Sequence, residues 1–278
     1  CEVEVLENLR TTLIDLSLQR VRTPAEPYRC TDCGATVRPI TVDVLGAVRT
    51  LPGTCICVKE RLVQEELHRR NAERVRKIER LFSLAQLGPR FQEATFESWL
   101  PRQGTEQGYK AAKALADEWD FNGRTGDSLM LIGPVGTGKS HLAAAIVNAL
   151  IPQGVAAIFQ PVPELFQRLN ATYGRESRET EAQLLSALQE ADLLVLDDVG
   201  AEKPSAANET RLYQIVDARY RGKKPMALTS NLDVNQLRTQ VGERTIDRLI
   251  EVCQIVRLEA TSYRRIVAAQ RREIQHAR

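Results

Sequence analysis

Four residues with the types and spacing to hold a phosphate stand between positions 133 and 140. Gly133, Gly138, Lys139 and Ser140 fill the pattern G-x-x-x-x-G-K-[ST]. The whole loop reads Gly133-Pro134-Val135-Gly136-Thr137-Gly138-Lys139-Ser140, with His141 next in the chain. Glycines let the backbone turn tightly enough for its N–H groups to converge on an anion. The following helix points its positive end at the same place. Lys139 carries the cation for β- and γ-phosphates, and Ser140 offers a hydroxyl to Mg²⁺. An apolar run, Ser128 to Ile132, precedes the loop, and an alanine- and leucine-rich stretch, His141 to Ile151, follows it. That is the strand–loop–helix setting the motif needs. The chemistry is nucleoside triphosphate binding, with Mg²⁺ as its companion ion.

A second candidate site lies in Leu193-Leu-Val-Leu-Asp197-Asp198. Four apolar residues ending in an acid predict a strand whose Asp197 faces the Mg²⁺ shell opposite Ser140, with Asp198 as the base for an attacking water. A buried strand ending in a polar turn is the plainer alternative. Further on, Ala227-Leu-Thr-Ser-Asn231 places Asn231 as a group to position that water, although Ser-Asn at a strand end is also ordinary turn chemistry.

Six cysteines need a reason. Cys30-x-x-Cys33 and Cys55-x-Cys57 supply two pairs of thiolates, enough for a closed tetrahedral zinc site with no open position for catalysis. Unrelated free thiols or a redox pair are the alternatives. His68 is a spare ligand candidate, and an exposed helical histidine is its simpler reading. Cys253, within the apolar run Val252 to Leu258, reads as a buried strand residue.

The elements that must carry these groups follow from hydrophobic periodicity. Strands are predicted over Ser128 to Ile132, Ala156 to Gln160, Leu193 to Asp197, Met226 to Ser230 and Gln254 to Leu258, alternating with helical stretches. That pattern predicts an α/β domain, a parallel five-stranded sheet covered on both faces, with ligands at the carboxyl ends of its strands. Toward the N-terminus, Leu6, Leu9, Leu13 and Leu16 suggest an amphipathic helix, and Pro24 and Pro27 break the chain. A β-rich span, Ala35 to Leu51, reads as a hairpin. Val58 to Leu84 reads as one long charged helix, either a solvated helix laced with ion pairs or a docking surface. Gly88-Pro89 marks a boundary, giving an N-terminal region of residues 1–88 and an NTPase domain of 89–278. Across the 278 residues, 43% are hydrophobic and 27% charged, with a net charge of +2, so the chain has no global basic field. No apolar run approaches a membrane span and no secretory pattern opens the chain, so a cytoplasmic, membrane-free protein is expected. The opening Cys1, in place of methionine, suggests a sequence trimmed or incomplete at that end.

Taken together, several stretches resemble the bacterial DnaC/DnaI-type helicase loaders, a branch of the AAA+ ATPases that includes IstB-type transposition helpers. They are Phe91-x-x-Ala-Thr-Phe96, the phosphate loop, LLVLDDVG, Leu212-Tyr to Arg219-Tyr220, Lys224-Pro to Asn231-Leu232, Gly242-Glu-Arg-x-x-Asp-Arg248 and Ser262-Tyr-Arg264. The likeness spans about residues 89 to 266, and the cysteine pairs with their charged helix resemble the N-terminal region of DnaI-like and phage loaders more loosely. The resemblance implies an AAA+ P-loop fold with little or no C-terminal lid. It implies that Asn231 is sensor 1, that Arg264 is sensor 2 against the nucleotide, and that Arg248, with Arg244 one turn earlier, is an arginine finger on a neighbouring subunit. It thereby implies an oligomer, a replicative DNA helicase hexamer as partner, and single-stranded DNA contact. For the DNA, the stretch Pro163 to Leu188 offers Arg168, Tyr173, Arg175 and Arg178. Relatives commonly carry glutamate where Asp198 stands, one methylene longer, so slow hydrolysis is expected. A transposition helper and a nucleotide-gated adaptor with negligible turnover remain the competing readings.

Overall fold

The hairpin expected over Ala35 to Leu51 forms from Ile40 to Leu51, whereas Thr36 and Val37 pair instead with Arg29 and Tyr28. In the computed structural model, which describes residues 26–44, 47–82, 88–119, 128–174, 179–266 and 268, the chain divides into two compact units, Cys1–Glu73 and Arg74–Arg278. The expected helix around Leu6 to Leu16 lies outside the described residues, as do Arg175, Arg178 and, except for residue 268, everything past Ile266 that bears on a lid. The smaller unit opens with β1 (Tyr28–Arg29) against β2 (Thr36–Val37), followed by the hairpin of β3 (Ile40–Val44) and β4 (Ala47–Leu51), both antiparallel. Helix α1 (Ile56–Phe82) then begins. Arg69 pairs with Glu66 and Glu73, and Arg70 with Glu66, at i,i+3 and i,i+4 spacing. Such exposed pairs are screened by water and add little, so this stretch is a solvent-exposed helix laced with ion pairs.

The larger unit takes up the last turns of α1: Ile78, Leu81 and Phe82 are buried in its core. Short α2 (Pro89–Gln92) and α3 (Glu106–Asp117) lead into β5 (Ser128–Ile132), α4 (Lys139–Leu150), β6 (Ala157–Pro161), α5 (Val162–Ala171), α6 (Glu181–Glu190), β7 (Leu193–Asp197), α7 (Ala206–Arg221), β8 (Met226–Ser230), α8 (Val234–Val241), α9 (Glu243–Val252) and β9 (Cys253–Arg257). The five strands β5–β9 form one parallel sheet in the order β6-β7-β8-β5-β9. The second and fifth of them sit one residue away from the predicted Ala156 to Gln160 and Gln254 to Leu258, because the apolar runs there extend past the ladder.

Pleating sorts the apolar runs onto two faces. Leu129, Leu131, Leu193 and Val195 pack with α3 and α4, whereas Met130, Ile132, Leu194 and Leu196 pack with α5 to α9 and the end of α1. With β5 to β8 buried along their whole length, a continuous apolar run is what each strand requires. Arg219 of α7 fills a gap in the second layer without any exposure. Its guanidinium donates to the carbonyls of Leu188, Ala191, Asp192 and Pro225, tying α6, the approach to β7 and the approach to β8 together. Burial pushes its pKa down to about 9, with Asp192 opposing. Arg219→Leu should take the guanidinium away from four carbonyls, of which Pro225 O keeps only the long bond from Leu194 N–H, at about 1–3 kcal/mol for each that is left buried without a donor. A fall of at least about 3 kcal/mol in urea unfolding, at unchanged m-value, is the expected result.

Candidate nucleotide site and cysteine cluster

Strand β5 ends between β8 and β9, and the loop that follows turns over the carboxyl edge of the sheet into α4. Gly138 caps α4 at φ +103°, and a Cβ there would meet the Trp99 ring at 2.5 Å. A segment from Leu258 to Tyr263 runs along the other side of the loop. Leu258 N–H donates to Ile132 O (2.8 Å), Glu259 N–H to Gly104 O (3.0 Å) and Tyr263 N–H to Gly136 O (2.9 Å). The approach is so close that a Cβ at Gly104, Gly133 or Gly136 would stand 2.0–2.2 Å from Glu259 O, Leu258 O or Ser262 Oγ.

Lys139 is only 4% exposed. Its Nζ donates to Gly133 O (2.7 Å), Pro134 O (2.9 Å) and Asn231 Oδ1 (2.8 Å). Burial pulls its pKa down to about 8 against the attraction of Asp198 and Asp197. Asp197, 3% exposed at the end of β7, accepts from Thr229 Oγ1 at 2.6 Å. Burial pushes its carboxyl up to about 6; the Thr229 hydroxyl pulls the other way, the charge of Asp198 adds to the rise, and the hydroxyl of Ser140 opposes it. Asp198 adopts φ +56°, a left-handed backbone that costs a non-glycine residue about 1–2 kcal/mol. Its Oδ1 accepts from Asn231 Nδ2 at 3.1 Å. Lys139, Ser140, Asp197, Asp198, Asn231 and Arg264 therefore line one cavity of 690 Å³.

The segment between residues 89 and 102 forms the opposite wall. His141 Nε2 lies 2.8 Å from Thr95 O and its ring packs 5.3 Å from Trp99, so this histidine anchors the wall; burial lowers its pKa. Arg102, which sequence reasoning missed, donates to Thr137 O and Thr261 O at 2.6 Å and packs against the Trp99 and Tyr263 rings. Thr229, also missed, is fully buried and touches both aspartates. In sequence nothing marks it: it reads as an ordinary β-branched residue inside β8.

The outlying arginines are placed differently. Arg248 pairs with Asp217 at 2.8 Å within the chain and lies over Tyr213 and Tyr220, its Nη1 donating to Arg244 O. Arg244 is exposed and its side chain makes no ion pair among the described residues. Arg168, half-buried, is held by Glu179, Leu81 O and the Phe82 ring. Tyr173 is 70% exposed, its hydroxyl bonded to Glu181 and its ring against the Arg211 guanidinium.

In the smaller unit the four cysteines converge. Cys30, Cys33, Cys55 and Cys57 hold their Sγ atoms within 4.8 Å of one another, four of the separations being 3.4–3.5 Å. A disulfide needs about 2.05 Å, and the sulfurs around a tetrahedral zinc lie about 3.8 Å apart. The donor set and spacing fit zinc. Gly34, at φ +72°, closes the first knuckle with its N–H to Cys30 O (2.9 Å), and Cys55 and Cys57 flank the start of α1. Backbone N–H groups of Cys33 and Asp32 pull the Cys30 thiol down to about 7. Cys57, crowded by Cys55, Cys33 and Cys30, is pushed up. His68 is exposed and stands outside the cluster.

Comparison with known proteins gives a consistent picture. The family model described as "IstB-like ATP binding protein" matches residues 55–271. The replicative helicase loader DnaC of Buchnera aphidicola (subsp. Schizaphis graminum) is 33% identical over 190 residues, 68% of this chain and 75% of that protein. Among solved structures, the DnaC helicase loader superposes with a TM-score of 0.55 at 22% identity, covering 62% of this chain and all of the other. DnaI superposes at 0.54 with 26% identity, covering 63% and 93%. Among the described residues no helix is long and apolar enough to cross a membrane.

Proposed function

Because this chain belongs to the IstB-like ATP binding protein family, we propose that it is an ATPase that loads a replicative DNA helicase onto single-stranded DNA. The observation that carries the reading is the convergence of Lys139, Ser140, Asp197, Asp198 and Asn231 on one cavity, in a chain similar to DnaC over three quarters of that protein's length. In this reading the loop from Gly133 to Ser140 binds the triphosphate through its N–H groups, and Lys139 turns from its own loop carbonyls to the β- and γ-phosphates. A Mg²⁺ held by Ser140 and Asp197 would neutralise charge on the phosphoryl oxygens. Asp198 accepts the proton of the attacking water, Asn231 orients that water, and Arg264 contacts the nucleotide. Arg248 acts on a neighbour's nucleotide within an oligomer after its pair with Asp217 opens, with the exposed Arg244 beside it. ATP binding and hydrolysis then act as the switch between helicase-engaged and released states. Tyr173 offers an exposed ring on which a base can stack. The zinc-bearing N-terminal region docks the helicase.

The test is capture of the source organism's replicative helicase, in ATP and Mg²⁺, by the full chain and by residues 74–278. The shorter piece begins at 74 because starting at 89 would strip Ile78, Leu81 and Phe82 from the core. Capture by the full chain and its loss in the fragment is the expected result. Capture by neither would overturn the loader reading and make a transposase the next bait.

A further inference from the structure

Thr229 sits between the two acids of the nucleotide site, and nothing in the sequence motifs gives it a task. Its side chain is fully buried, on the strand beside β7. A threonine hydroxyl has one proton to donate and lone pairs to accept. Asp198 N–H donates to Thr229 Oγ1 at 2.9 Å, so the hydroxyl proton is left for Asp197 Oδ1, 2.6 Å away. The threonine carbonyl takes the next amide as well, Val199 N–H at 2.8 Å. One residue thus ties down the carboxylate of Asp197 and the two amides that follow it.

The consequence lies in the backbone of Asp198. This residue is one of two non-glycine positions with positive φ among those described, and the other, Lys223, follows the end of α7. A left-handed aspartate persists only where its surroundings hold it. The hydrogen bond to Thr229 Oγ1 is a direct hold on its amide, and the left-handed turn is what presents the Asp198 carboxylate to Asn231. At the same time the hydroxyl occupies one carboxylate oxygen of Asp197, Oδ1, and so fixes its rotation.

The geometry points to Thr229 as a positioning residue that sets the orientation of Asp197 and Asp198 relative to each other through a single hydroxyl. The inference rests on the reading of this site as an ATPase. It predicts that Thr229 governs turnover and leaves nucleotide capture by the phosphate loop intact, because no atom of Thr229 lines the cavity.

The experiment compares the unaltered full chain with Thr229→Val and Thr229→Ser, measuring Mg²⁺-ATP turnover and, separately, affinity for a fluorescent ATP analogue without Mg²⁺. Misplacement of a reacting group by about 1 Å costs on the order of 10²-fold in rate, which is the fall in kcat expected for Val. KM and analogue affinity should stay within about threefold, and Ser, which keeps both bonds, should restore kcat to within about threefold. A Val variant with kcat within about twofold of the unaltered chain, or a Ser variant that fails to rescue, would overturn the inference. If Val does not fold, Thr229→Ala carries the same test; loss of analogue binding in both makes Thr229 a purely structural residue and also overturns it. Absence of turnover in the unaltered chain removes the ATPase reading and this inference together. Turnover that Thr229→Val leaves unchanged removes only the inference.

Discussion

Asp198→Asn is expected to lower ATP turnover by about 10²–10⁴-fold, the range typical of removing a general base. The substitution isolates chemistry from structure unusually well. Asparagine tolerates the left-handed backbone at φ +56° as readily as aspartate. Its amide oxygen still accepts from Asn231 Nδ2, and its backbone N–H still reaches Thr229 Oγ1. Lys139 loses the charge of one carboxylate that helps keep it protonated, but its bonds go to Gly133 O, Pro134 O and Asn231, none of which the substitution alters. Nucleotide affinity should therefore be retained, and steady-state hydrolysis with a parallel binding titration checks both halves. Equal and near-zero rates for the two proteins would reject the enzyme and favour a nucleotide-gated adaptor.

The second large effect is on folding of the smaller unit. Zinc bound by four thiolates contributes on the order of 10–16 kcal/mol at neutral pH, more than a unit of this size derives from burial. Its buried apolar cluster among the described residues is small: Cys30, Val37 and Cys55, with Cys57 and Val58 packed beside them. Protein purified without chelator should carry about one equivalent of zinc, and less than about half would reject the site. Stripping the metal should expose residues 26–57 to protease. Far-UV circular dichroism should fall as well, because Cys55 and Cys57 fix the first turn of α1. Cys33→Ser should act in the same direction. The larger unit has its own core, so its nucleotide affinity should survive the treatment.

What was legible in the sequence is what physics writes locally. The phosphate loop, the acid-ended strand and the cysteine pairs each bring their chemistry within a few residues, so spacing alone exposes them. Alternation of apolar runs gave the five strands, with the ends of two displaced by one residue because hydrophobicity does not stop where a ladder does. Residues that act across the chain were hidden. Thr229 meets Asp197 from 32 positions away, and Arg102 reaches Thr261 across 159. A threonine in a strand and an arginine in a loop carry no local mark of such contacts. Arg168 shows the converse. An arginine on a helix reads as solvent-facing until Glu179, Leu81 and Phe82 are seen to enclose it.

The run of close approaches at Gly104, Gly133 and Gly136 has an evolutionary consequence. A single added carbon at any of the three would collide with residues 258, 259 or 262 across the seam. No one-step replacement there is neutral, since a compensating shift must come from the facing segment, which continues into Arg264. Drift at the loop and drift at that segment are therefore one event rather than two. Descendants of this sequence can remodel the helices around the sheet independently, but must inherit residue 104, the phosphate loop and the facing segment together.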